Sequence, residues 1–213
     1  MDVDLYVVTD ERLSHGLSHG DIARQAVLGG ADVIQLREKA RPGREIFTAA
    51  REIRAITREN GALFIVNDRL DIALASAADG IHLGQDDLPL TSARRLAPEG
   101  FIIGVSVGSV DEALRAEADG ADYVALSPVF PTSSKPDAGP GSGLEVLRRI
   151  RSAVPIPIVA IGGIGPQNVR DVVHAGADGV AVISAVVGQE DIISAAMEMK
   201  SLITAAKREK ARR

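Results

Sequence analysis

A chain of 213 residues, 46% hydrophobic and 25% charged, can bury a large core and is not composed like a disordered protein. A net charge of −5, 3% aromatic residues and no Trp argue against a general nucleic-acid surface or a base-stacking platform. The absence of Cys excludes disulfides, thiolate chemistry and Cys-ligated zinc.

The first strand is expected over 4–8 and is followed by a helix over 21–28. A second strand, 32–36, runs into Gln35-Leu36-Arg37-Glu38-Lys39. Side chains alternate along a strand, so Gln35, Arg37 and Lys39 project together, with Leu36 and Glu38 on the other face. An amide, a guanidinium and an ammonium on one face suit a pyrophosphate; a basic strand end balanced by Glu38 is the plainer alternative. A helix over 44–57 leads to the third strand, 63–66, which ends in Asn67-Asp68. The fourth, 80–83, ends in Gly84-Gln85-Asp86-Asp87. Neighbouring strands lie about 4.8 Å apart, so carboxylates from these two ends can reach one ion. Oxygen ligands without Cys favour Mg²⁺ over zinc. Capping of the following helices is the competing role for Asp68 and Asp87, and Asp86 falls more readily into that structural class. His82, inside an apolar run, reads as a hydrogen-bonded core residue, whereas His15, His19 and His174 read as loop or helix-surface positions.

The fifth strand is expected over 101–105 and the sixth over 122–126. The sixth opens into the longest break in the pattern, from Ser127 to Gly143, which carries Thr132, Ser134 and Lys135. A long loop with hydroxyls and a lysine is read as a lid over an anion, against the alternative of a flexible surface loop. After a helix over 144–150, the seventh strand, 157–161, meets Gly162-Gly163-Ile164 and a helix opened by Pro166. The eighth, 179–182, meets Ile183-Ser184 and another helix start. Backbone N–H groups at two such starts make a preformed phosphate site. The last helix spans 190–207, and the basic run from Lys207 to Arg213 reads as its frayed end.

Gly-Ala-Asp or Ala-Asp-Gly phrases precede the second, fourth, sixth and eighth strands, at Asp32, Asp79, Asp122 and Asp178. Eight successive βα units with this alternation indicate an α/β fold, a single (β/α)₈ TIM barrel over 1–213 with a parallel eight-stranded core. A doubly wound open sheet is the rival. The polar strand ends then gather at the C-terminal mouth, where barrel chemistry resides. Two anion sites are expected there, one combining Arg37, Lys39 and Lys135 with a metal, the other metal-free at the last two loops. That pairing implies a transferase with two phosphorylated small-molecule substrates. No apolar run is long enough to span a bilayer, and the first strand follows the N-terminus too closely for a signal peptide, so the cytoplasm is the expected location. Neither nucleic acid nor membrane is an expected partner; homo-oligomerisation stays open.

The ordered phrases Tyr6-Val7-Val8-Thr9-Asp10, Gln35-Leu36-Arg37-Glu38-Lys39, Val66-Asn67-Asp68-Arg69, His82 to Asp87, Gly104-Val105-Ser106, Pro128 to Thr132, Ile161 to Ile164 and Val182-Ile183-Ser184 cover nearly the whole chain. Together they resemble the thiamine phosphate synthase family. The resemblance implies a (β/α)₈ enzyme that joins a hydroxymethylpyrimidine diphosphate to a thiazole phosphate, or its carboxylated form, releasing pyrophosphate. It implies that Gln35 meets the pyrimidine and that Arg37, Lys39, Asn67 and Lys135 hold the diphosphate. It places Asp68 and Asp87 on Mg²⁺ and Ser106 near the reacting groups, with Thr132, Ser134, Gly163, Ile183 and Ser184 on the thiazole phosphate. Arg37, Lys39, Ser106 and Lys135 are the expected catalytic groups. The chain departs from the family where Val107-Gly108 follow Ser106 in place of a usual histidine, and where Ser127 opens the sixth loop instead of a frequent glycine. Two alternatives remain: a thiazole tautomerase, which would need an acid–base group near Ser127, and a non-catalytic phosphate-ligand sensor on the same barrel.

Overall fold

The computed structural model describes residues 3–134 and 139–212. Strands and helices alternate as β1 (Leu5–Val8), α1 (His19–Leu28), β2 (Val33–Leu36), α2 (Gly43–Asn60), β3 (Leu63–Asn67), α3 (Leu70–Ala75), β4 (Gly80–Leu83) and α4 (Leu90–Leu96). They continue as β5 (Ile102–Val107), α5 (Val110–Ala118), β6 (Tyr123–Leu126), α6 (Gly143–Ala153), β7 (Ile158–Ile161), α7 (Val169–His174), β8 (Gly179–Val182) and α8 (Ile192–Lys210). Each strand pairs in parallel with the next, and β1 pairs with β8, which closes the barrel and removes the open-sheet rival.

Alternation along the strands builds two cores. Tyr6, Val8, Val33, Ile65, Tyr123, Val159 and Ala181 point into the barrel, while Leu5, Val7, Ile34, Leu36 and Phe64 pack outward against the helices. Helix α2 shows how the outer layer is encoded. Ile46, Ala50, Ile53 and Ile56 recur at helical spacing and are buried, and the helix stops at Gly61, which takes φ +70° and donates its N–H to the Thr57 carbonyl. Helix α1 begins two residues before its expected start, because the Ser18 hydroxyl accepts the Asp21 N–H as an N-cap.

The recurring aspartates have one shared task at the N-terminal end of the barrel. Asp32 accepts the N–H groups of Asp4 and Leu5 at 2.9 Å, and Lys200 of α8 donates to it at 2.6 Å. Asp79 accepts from Phe64 N–H and from Arg54 of α2, both at 2.7 Å. Asp122 accepts from Ile103 N–H at 2.7 Å and from Arg94 of α4 at 2.5 Å. Asp178 accepts from Ile158 N–H at 2.8 Å and from Arg151 of α6 at 2.7 Å. Each carboxylate thus ties the start of an odd-numbered strand to an even-numbered helix, by charge-assisted bonds at both ends. Asp122→Ala leaves the Ile103 N–H without this acceptor and lowers the urea-unfolding free energy by about 1.5–3 kcal/mol.

Three further local expectations differ from the structure. Pro166 does not open α7, which starts at Val169; residues 166–168 form a turn before it. Ser184 begins a single turn, closed by the Gly188 N–H to Ser184 carbonyl bond, and α8 starts only at Ile192. His19 is 2% exposed rather than on a helix surface, because its ring turns inward to Thr9 Oγ1 at 2.7 Å. No helix among the described residues is long and apolar enough to cross a membrane.

Candidate active site

Arg37 and Lys39 follow the end of β2 and reach the C-terminal mouth. Arg37 is largely buried, with Nη1 3.7 Å from Asp10 Oδ2. Asp10 is 4% exposed and also accepts from Arg12 through its N–H at 3.0 Å and its guanidinium at 2.9 Å. Burial favours the protonated Asp10, but the Arg12 bonds and the Arg37 charge outweigh it and hold the carboxyl below the usual range. Asp10 therefore fixes the height of Arg37, a role that the sequence did not reveal.

Asp68 sits just past β3 in the left-handed region at φ +62°, with its N–H bonded to the His82 carbonyl at 2.9 Å. Asp87 folds back so that its Oδ2 accepts the Gly84 N–H at 2.6 Å. Neither caps a helix: the residue before α3 is Arg69 and the one before α4 is Pro89, and neither helix has a side-chain cap. Burial and the adjacent Asp87 carboxylate push the Asp68 carboxyl up to about 6, against the pull of Lys39. The Lys39 ammonium lies 3.4 Å from Asp68 Oδ2. Two carboxyl groups are thus held side by side, the first of them at a backbone angle that residues other than glycine rarely adopt. Among the described residues no group of three or more His, Cys, Asp or Glu side chains could hold a metal ion, so Asp68 and Asp87 stand as a pair.

Arg37, Lys39, Asn67, Asp68, Asp87 and Ser106 line one cavity of about 250 Å³. Thr132, Ser134, Gly163, Ile183 and Ser184 meet in a second, narrower pocket formed by the sixth, seventh and eighth loops. The two share Ser127 and Pro128 as a common wall. In the second pocket the Ser134 hydroxyl donates to Ser184 Oγ at 3.3 Å. Gly163 has φ +63°, and a Cβ there would stand 2.6 Å from the Pro131 carbonyl oxygen, so only glycine fits this approach. Asn168 holds the loop by accepting the Gly165 N–H and donating to the Gly163 carbonyl, both at 2.9 Å. Lys135 lies outside the described residues.

Gln35 lies deeper, 5% exposed inside the barrel, and its Nε2 donates to the Tyr6 hydroxyl. Ser106 bridges the levels: its hydroxyl meets His82 Nε2 at 2.9 Å, and Gln85 donates to its carbonyl at 2.6 Å. Burial pushes the Tyr6 and Tyr123 phenols far above their ordinary range, so both stay protonated.

The closed (β/α)₈ barrel carries two adjoining polar pockets at its C-terminal mouth, the end where barrel enzymes hold their active sites. The thiamine monophosphate synthase family model matches residues 5–186, and the chain belongs to that family. It is 63% identical to the thiamine-phosphate synthase of Methanoculleus marisnigri over 98% of this chain and 99% of that one. With the thiamine-phosphate synthase of Pyrococcus horikoshii it shares 50% identity, over 93% of this chain and 94% of that one. Among solved structures, thiamine phosphate pyrophosphorylase from Pyrococcus furiosus superposes with a TM-score of 0.90 at 47% identity, covering 96% of this chain and 97% of that one.

Proposed function

We propose that this enzyme joins hydroxymethylpyrimidine diphosphate to a thiazole phosphate, forming thiamine phosphate and pyrophosphate. The observation that carries the reading is the pair of adjoining pockets with Ser127 and Pro128 between them, one cationic with two carboxylates, the other lined by hydroxyls and glycine. Two anionic substrates can approach each other there without sharing a phosphate site.

In this reading Arg37, Lys39 and Asn67 grip the diphosphate, and Lys135 is a further cation for it. Asp68 and Asp87 fit Mg²⁺, which is commonly bound through one or two carboxylates plus water and substrate phosphate oxygens. When bound, Mg²⁺ supplies charge neutralisation to a departing pyrophosphate. The C–O bond to the diphosphate breaks with its electron pair leaving on oxygen, and the aminopyrimidine delocalises the positive charge left on the methylene. The thiazole nitrogen then forms the new C–N bond. Gln35 orients the pyrimidine, Ser106 faces the reacting groups, and Thr132, Ser134, Gly163, Ile183 and Ser184 position the thiazole phosphate. No strong base is needed, which suits a site whose one histidine, His82, is tied into the barrel interior.

The test is pyrophosphate release, assayed with each substrate and Mg²⁺ supplied or withheld. Release that requires all three and yields thiamine phosphate supports the reading. No release from protein that still binds thiazole phosphate overturns it in favour of an isomerase or a sensor. Ser184→Ala raises KM for the thiazole phosphate about tenfold with kcat little changed, the loss expected for one hydrogen bond to a charged group.

A further inference from the structure

A chain of hydrogen bonds crosses the barrel interior beneath the first pocket. Gln35 Nε2 donates to the Tyr6 hydroxyl at 2.7 Å, and the Tyr6 and Tyr123 hydroxyls lie 3.0 Å apart. The Tyr123 hydroxyl is 3.0 Å from His82 Nδ1, and His82 Nε2 is 2.9 Å from the Ser106 hydroxyl. Tyr6 and Tyr123 are 1% and 0% exposed, so bulk water offers neither hydroxyl an alternative partner. The His82 and Tyr123 rings stack, with centroids 5.7 Å apart and planes at 27°, which holds the imidazole in line.

We propose that Tyr6, Tyr123 and His82 form a relay that ties the orientation of the Gln35 amide to the direction of the Ser106 hydroxyl proton, making His82 a positioning residue. The relay's use in catalysis rests on the reading above, in which Gln35 meets the pyrimidine and Ser106 the reacting groups. Each phenol has one proton, so a direction imposed at one end propagates to the other. When the Gln35 oxygen accepts from the pyrimidine's amino group, its Nε2 donates to Tyr6. Tyr6 then donates to Tyr123, and Tyr123 to His82 Nδ1. His82 carries its proton on Nε2 and donates to Ser106, whose own proton is released into the pocket toward the developing pyrophosphate charge. With the amide flipped, every bond reverses and Ser106 spends its proton on His82. Recognition of the amino group thereby turns Ser106 into a donor.

The test reads the His82 tautomer by ¹⁵N NMR of histidine-labelled protein; four histidines keep the spectrum assignable. Wild-type protein is expected in the Nε2–H form. Gln35→Glu, whose carboxylate can only accept from Tyr6, leaves the contacts of His82 with Tyr123 and Ser106 in place, yet reverses every bond and moves His82 to the Nδ1–H form. Tyr6→Phe cuts the chain and leaves the Tyr123 hydroxyl only His82 Nδ1 to donate to, so it keeps the Nε2–H form. The Gln35→Glu/Tyr6→Phe double variant therefore returns His82 to the Nε2–H form. An unchanged tautomer in Gln35→Glu, or an Nδ1–H form that persists in the double variant, overturns the relay. Should Gln35→Glu fail to fold, the wild-type tautomer decides: an Nδ1–H imidazole overturns the relay. The tautomer is measured without substrate, so its failure is distinct from failure of the synthase reading, which absent pyrophosphate release would show.

Discussion

Asp68→Asn makes the metal-free protein more heat-stable at pH 7.5 while lowering turnover about a thousandfold, the scale on which removing charge stabilisation from a transition state acts. Asparagine keeps the shape of the side chain and tolerates the left-handed angle of +62° that Asp68 occupies. What changes is charge. The native Asp68 carboxyl is raised to about 6, first by burial and then by Asp87, from an ordinary value of 3.8. Between those two pH values the folded protein therefore holds a proton that the unfolded chain has released. The pair's contribution to stability is greatest at the acid end and is lost as pH rises through about 6. Above that pH the folded protein confines two carboxylates together, and the substitution relieves the repulsion. Melting curves in EDTA at pH 5 and pH 7.5 check the sign: the variant's advantage appears at pH 7.5 and shrinks at pH 5. Mg²⁺ raises the melting temperature of the wild type and leaves that of the variant nearly unchanged. Equal melting of both proteins at pH 7.5, or retained turnover, contradicts the assignment of this pair.

Gly104→Ala costs about 3 kcal/mol, at the upper end of what overpacking a well-filled core does. The added Cβ would stand 1.9 Å from Tyr123 Cζ and 2.4 Å from its hydroxyl oxygen. Tyr123 is fully buried and Gly104 is its register partner across β5 and β6, so the ring has no open space to move into without spreading the two strands. The melting temperature falls by roughly 6–12 °C for a chain of this size. Gly108→Ala is the control. Its Cβ meets nothing closer than Glu112 Oε2 at 3.8 Å, and it stays within about 0.5 kcal/mol of wild type. A Gly104→Ala protein as stable as the control would mean that Tyr123 can leave the barrel axis freely.

The strand ends were legible because they combine two local signals, an apolar run and an abrupt polar stop. Leu63–Asn67 and Gly80–Leu83 lie within a residue of their expected bounds for that reason. Arg37, Lys39, Asn67, Asp68 and Asp87 could be placed together because parallel neighbours bring consecutive strand ends side by side. The misplaced helix starts after β7 and β8 reflect a real ambiguity: Pro166 and Ser184 are good first-turn residues, and one turn is all that they form. Tyr6, Tyr123 and His82 come from β1, β6 and β4, which are not neighbours in the sheet, so no spacing along the chain reveals that they meet. A signal did exist. A buried phenol requires a hydrogen-bond partner, and His82 was the one polar residue in an otherwise apolar strand. The cations that answer Asp32, Asp79, Asp122 and Asp178 were invisible for the same reason, being supplied by helices 25 to 168 positions away.

Those four aspartates also expose a mismatch between covalent order and cooperative order. Each fastening joins a helix to the pair of strands that comes after it: α2 to β3 and β4, α4 to β5 and β6, α6 to β7 and β8. The odd one out is the first pair of strands, whose helix is α8, reached through Lys200 and Asp32. The ring of four quarter-turn units therefore has its natural seam between β8 and α8, not between α8 and β1. Lys207 already bridges from α8 to Asp4 and to the Val3 carbonyl, so the two ends of that unit lie against each other. A circularly permuted gene that opens at α8 and runs on into β1 would make all four units contiguous, and would convert the longest-range of the four fastenings into a local one.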